Sequence, residues 1–103
     1  MSRFSYAFSP FSGQNYKLSV TSTSGSQTIT GTGIQAPNVR MYNAGPDLVF
    51  IKFSKGASTA VTTDMIIPVG VVEVFGKAVN IDTISAVSAG GTANLYMTCG
   101  EGV

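Results

Sequence analysis

Gly31-Thr-Gly33-Ile-Gln-Ala36 has the spacing of a dinucleotide-binding turn, in which glycine lets the backbone approach a pyrophosphate at a helix N-terminus. Here Pro37 and a strand-like pattern follow instead of a helix, and Lys52 and Phe53 stand where the ribose-binding acid belongs, so the match is accidental. Asp64 and Glu73 are the remaining candidates for a paired-carboxylate site of the glycosidase kind, but nothing in their spacing brings them together. Asp82-Thr83-Ile84 lacks both the glycine and the second carboxylate of an aspartic protease. Ser54 and Lys55 are adjacent, which on a strand points their side chains apart. With no histidine and one cysteine a zinc site has no ligand set, and the aspartates are too scattered for calcium. Cys99, without a basic partner, reads as a structural thiol. The sequence therefore predicts no enzyme, no catalytic residue, no cofactor and no metal.

Two stretches could bind instead. Thr21, Thr23, Thr28, Thr30 and Thr32 could form a flat hydroxyl face for sugar or ice, although threonine is also an ordinary exposed strand residue and no aromatic ring interleaves with this run. More pointed is the N-terminus, where Phe4, Tyr6, Phe8 and Phe11 are spaced mostly by Ser, Ala and Pro10. Residues 1–14 read either as a first strand that completes the domain's own core or as an extended arm whose rings enter a neighbour, with those four aromatics as candidate partner-binding residues. Residues 15–103 form the domain proper on either reading.

The elements that must carry these residues follow period two. Tyr16, Leu18 and Val20 alternate with polar neighbours over Tyr16–Thr21, and a turn around Gly25 leads into Gln27–Thr30. Pro37 precedes a strand over Asn38–Asn43. Asn43-Ala-Gly-Pro-Asp47 is the sharpest turn signal and predicts a hairpin into Leu48–Phe53, whose two apolar faces predict a central position. After the loop Ser54–Thr59 come Asp64–Ile67, Val71–Phe75, Val79–Ser85 after Gly76-Lys77, and Thr92–Thr98 after Gly90-Gly91. Helix formers never gather at helical spacing. About eight strands predict an all-β, antiparallel β-sandwich or jelly roll.

Composition limits the role. In 103 residues there is room for one core, and charged residues reach only 11% against ~25% in ordinary globular domains. A surface so poor in charge is easily desolvated and keeps a lone monomer poorly soluble, which predicts a homo-trimer or homo-dimer. Net charge +1 with scattered cations argues against nucleic acid. No signal-peptide pattern and no long apolar span is visible, so neither export by the usual route nor a membrane partner is expected.

Val39-Arg-Met-Tyr-Asn-Ala-Gly-Pro46 running into Val49-Phe-Ile-Lys-Phe53, Met65-Ile-Ile-Pro-Val-Gly-Val-Val-Glu-Val-Phe-Gly76, and Leu95-Tyr-Met-Thr-Cys-Gly-Glu-Gly102 resemble a family of small bacteriophage virion proteins. The resemblance covers about residues 38–103. It implies a virion part made in the host cytoplasm, similar to head decoration or cement proteins that bind the major capsid protein and stabilise its shell. The alternative is a glycan- or receptor-binding module of a phage tail or fibre. The shared motifs are turns and strands, so the resemblance carries over no functional residue.

Overall fold

The computed structural model describes residues 9–29, 38–76 and 81–101. They form eight strands: β1 (Ser9–Val20), β2 (Gly25–Thr28), β3 (Asn38–Pro46), β4 (Val49–Ser54), β5 (Met65–Ile67), β6 (Val72–Gly76), β7 (Thr83–Ser88) and β8 (Ala93–Glu101), with no helix among the described residues. The strands make two four-stranded antiparallel sheets, ordered β1-β8-β3-β6 and β2-β7-β4-β5.

The pairing is nested. β1 pairs with β8, β2 with β7, β3 with β6 and β4 with β5, as in one long hairpin closed at the β4–β5 loop. Rolling that hairpin up adds the β3–β8 and β4–β7 ladders, and every connection except β4–β5 then crosses between sheets. This is jelly-roll connectivity, the narrower of the two architectures that the strand pattern predicts.

Alternation sets the core. In β8, Ala93, Leu95, Met97 and Cys99 face inward, and in β3 Val39, Met41 and Asn43 do the same. They meet Val49, Ile51, Ile67, Ile84 and Ala86 of the second sheet, so each sheet buries one face against the other. At the edge between β4 and β6, Phe53 and Phe75 close the layer edge-on, with ring centroids 5.8 Å apart. β4 lies inside its sheet, as its two apolar faces predict.

Three expectations change. The turn at Asn43–Asp47 does not make a hairpin, because β3 already has β8 on one side and β6 on the other, and β4 joins the opposite sheet. Gly45, at φ +78°, lies in the register shift between Asn43 and Pro46 near the end of β3, with a cis bond to Pro46. β1 begins at Ser9 rather than Tyr16, passing through the 14/15 boundary, and Ser9 and Pro10 pair with Glu101 and Gly100. Between Pro10 and Asn15 its register shifts by a bulge, with Gly13 at φ +76°, which breaks the alternation that marks the rest of the strand. β7 begins at Thr83 and runs on to Ser88, where small polar residues hide a strand buried on both faces.

The buried side chain of Asn43 ties the crossover together. Its amide nitrogen donates to the carbonyls of Asp47 at 3.0 Å and Ile67 at 2.9 Å, and its oxygen accepts from the Gly45 N–H at 2.8 Å. Its backbone joins the β5–β6 turn through Gly70 N–H at 2.7 Å and Val71 O at 3.3 Å.

Candidate functional site

The two outer faces of the sandwich are treated differently. Over the second sheet, the β4–β5 loop lies as a strap. The hydroxyl of Ser85 donates to Ser58 O at 2.8 Å, Ser26 shares a 2.8 Å hydrogen bond with Ser85, and Ala60 N–H donates to Ser24 Oγ at 2.8 Å. Under it Thr83, Ser85 and Val87, the outward residues of β7, are buried. Asp82 and Asp64 anchor the strap's two ends. Asp82 accepts from Gly56 N–H at 2.8 Å and from the Thr83 hydroxyl at 2.8 Å, and Asp64 accepts from Val61 N–H at 2.8 Å. The Gly56 and Thr83 hydrogen bonds hold the Asp82 carboxyl below its ordinary value. Its contribution is present at neutral pH and is lost as pH falls through that lowered value.

Among the described residues, no loop lies over the first sheet's outer face as the strap does over the second. Its register places Lys17, Tyr96, Tyr42 and Val72 in one row across all four strands. Asn15, Thr98, Arg40 and Val74 form the next row. Tyr42, Tyr96 and Val72 are 36%, 43% and 45% exposed, and the Lys17 ammonium sits 5.9 Å from the Tyr96 ring centroid. A hollow of about 340 Å³ opens beside the tyrosines, lined by Pro10, Asn15, Arg40 and Thr98. The Thr98 hydroxyl donates to the Asn15 side-chain oxygen at 2.7 Å.

A second exposed surface runs from the strap's end along the edge strand β5 into the turn before β6. Val61, Met65, Ile66 and Val69 stand out there, and the segment from Met65 to Val72 contains no charged residue. Edge strands are ordinarily blunted by charge against pairing with other chains, and this one is not.

The residues singled out for chemistry are used locally or buried. Cys99 is fully buried, its thiol 3.6 Å from Ile29 O. Burial, and secondarily Cys99, raise the Tyr16 phenol above its usual 10.0. The Ser54 hydroxyl donates to Gly56 O at 2.7 Å, away from any dyad with Lys55. Thr21 and Thr23 bond each other within the β1–β2 turn, and only Thr28 lies on a strand among the described threonines of that run. Thr30, Thr32 and the Gly31–Ala36 segment lie outside the described residues, as do Phe4, Tyr6 and Phe8, while Phe11 is placed by its backbone in β1. Among the described residues no group of three or more His, Cys, Asp or Glu could hold a metal. No helix among them is long and apolar enough to cross a membrane.

No family model matches the chain, and no curated protein or solved structure is significantly similar to it. The functional reading therefore rests on the two exposed surfaces. The tyrosine row was only half legible in the sequence: alternation places Tyr96 outward, but its pairing with Tyr42 is a matter of register between distant strands.

Removing residues 1–8 leaves every described strand whole, so chain 9–103 is expected to fold. Removing residues 1–14 also strips β1 of the residues opposite Gly100 and Glu101 and is expected to unfold at a clearly lower temperature. Thermal melts of both truncations check this. A chain 9–103 that fails to fold would place the Phe4, Tyr6 and Phe8 rings in the domain's own core.

Proposed function

We propose that the protein is a bacteriophage virion structural component, an oligomeric head decoration or cement protein that binds the major capsid protein and stabilises its shell. The observation that carries this reading is the exposed, uncharged β5–β6 corner on a domain with few charges anywhere. Val61, Met65, Ile66 and Val69 offer a surface that gains by being covered, and the open edge of β5 can accept a neighbouring strand. The resemblance over residues 38–103 points the same way, and jelly rolls are a recurrent architecture of capsid proteins and of lectins alike. The aromatic arm with Phe4, Tyr6, Phe8 and Phe11 is a second proposed contact, to a neighbouring subunit or to the shell.

Protein mass per purified virion tests the assignment. A shell component is expected on the order of hundreds of copies per particle, whereas about a dozen or fewer would move it to the tail or portal. The second reading, a glycan- or receptor-binding module of a tail or fibre, is favoured by one observation: Tyr42 and Tyr96 lie side by side on a face the strap leaves open.

A further inference from the structure

We propose that the outer face of the β1-β8-β3-β6 sheet binds a carboxylate-bearing saccharide, with Tyr96 and Tyr42 stacking on a sugar ring and Arg40 and Asn15 holding its acid group. This inference takes up the aromatic face of the second reading and gives its ligand a chemistry. It does not depend on where in the virion the protein sits, because a shell protein can display such a face as well as a fibre can.

The face is a grid with two functions in adjoining rows. Tyr96 and Tyr42 are direct cross-strand partners, so their rings stand about 5 Å apart at the Cβ atoms and together cover the width of a sugar ring. Tyrosine suits this, since it offers an apolar ring surface with a hydrogen-bonding tip. Two residues along, Arg40 faces Thr98 across the same ladder, and Thr98 faces Asn15 on β1. Two residues along a strand span about 6.5 Å, so a group held in the second row reaches back over the tyrosines.

The hollow in the second row decides the sign of the ligand. Asn15 accepts from Thr98 through its oxygen, which leaves its amide N–H groups as donors. No hydrogen bond or ion pair engages the Arg40 guanidinium among the described residues, and its planar fork matches a carboxylate with two parallel bonds. Lys17 adds a second cation at the end of the tyrosine row. No outward position of the four strands carries a described carboxylate, and Glu73 is opposite the inward Met41. The hollow, about 340 Å³, lies at the small end of the ~300–1,000 Å³ typical of small-molecule sites.

An acidic protein surface would share the charge but not the shape. A protein contact is built on an apolar, charge-poor centre, whereas here the exposed row of Tyr96, Tyr42 and Val72 is bordered by Lys17 and by Arg40, and the exposed apolar run without charges is the one at the β5–β6 corner.

The test uses the full chain and four oligosaccharide probes, containing glucuronate, galacturonate, mannuronate or N-acetylneuraminate, read by ligand-observed NMR and titration calorimetry. At least one is expected to bind, with its methyl ester at least about tenfold weaker and an oligo-glutamate peptide of equal charge weaker still. Arg40→Gln and Tyr96→Ala are each expected to weaken that probe at least about tenfold while the circular dichroism spectrum is unchanged. Binding of none of the four probes at millimolar concentration overturns the proposal. So does equal binding of oligo-glutamate, which would mark an acidic-peptide surface, and so does binding unaffected by Arg40→Gln. If copy number shows the protein to be absent from virions, the function above fails while these titrations still stand or fall by themselves.

Discussion

Replacing Asn43 by alanine is expected to destabilise the domain by about 3 kcal/mol, because two buried hydrogen bonds and one part-buried one lose their partner at about 1 kcal/mol or more each. The Gly45 N–H and the carbonyls of Asp47 and Ile67 would be left without the amide that joins them. Asn43 has no exposed surface, and its bonds to Ile67 O and Gly45 N–H are buried, so water does not take over these two. At about 4–8 °C per kcal/mol for a domain of this size, the midpoint should fall by ~12 °C or more. Asn43→Asp should be no better near neutrality. It keeps the acceptor for Gly45 but faces two carbonyl oxygens with a buried carboxylate, and acidification should return part of the loss by protonating it. A thermal melt showing Asn43→Ala within about 3 °C of the parent would mean that the crossover is held by something else.

Ile66→Lys is expected to act on assembly rather than folding. Ile66 is 45% exposed on the edge strand β5, so the folded domain loses only its contact with the opposite Phe50, about 1 kcal/mol or less. In an assembled neighbour contact the same change removes apolar burial and forces an ammonium to be desolvated, together ~3 kcal/mol or more, a hundredfold or greater loss of affinity. Sedimentation equilibrium should show the parent as dimer or trimer and Ile66→Lys as monomer at the same micromolar concentration. An unchanged oligomer would remove the β5 edge from the self-contact.

How far the sequence shows all this depends on the range of the physics involved. β3 and β8 are legible because Val39, Met41, Leu95 and Met97 alternate with polar or outward neighbours, and that period is local. The turn at Asn43–Asp47 is legible as a reversal, but which sheet β4 joins depends on β3 having both edges filled by strands from later in the chain. β7 is obscured because Thr83, Ser85 and Ser88 look exposed by type, and their burial comes from the strap above and the core below. Half of the tyrosine platform is legible in the outward parity of Tyr96. The rest, and the hollow at Arg40, follow from the β1–β8–β3 register and the bulge after Pro10, which no local pattern encodes. The uncharged run Met65–Val72 is visible in the sequence as parts of two strands, and its exposure goes with the edge position of β5.

We propose that the β5–β6 corner joins copies of this domain into the oligomer that coats a phage shell, and adding purified protein back to particles stripped of it tests this. Parent protein, Ile66→Lys and Tyr96→Ala would be compared for bound copies per particle and for the temperature at which the shell opens. The parent and Tyr96→Ala are expected to bind to the same level and to raise that temperature alike, while Ile66→Lys stays in solution. Full binding by Ile66→Lys, with Tyr96→Ala left unbound, would contradict this and assign the shell contact to the open sheet face.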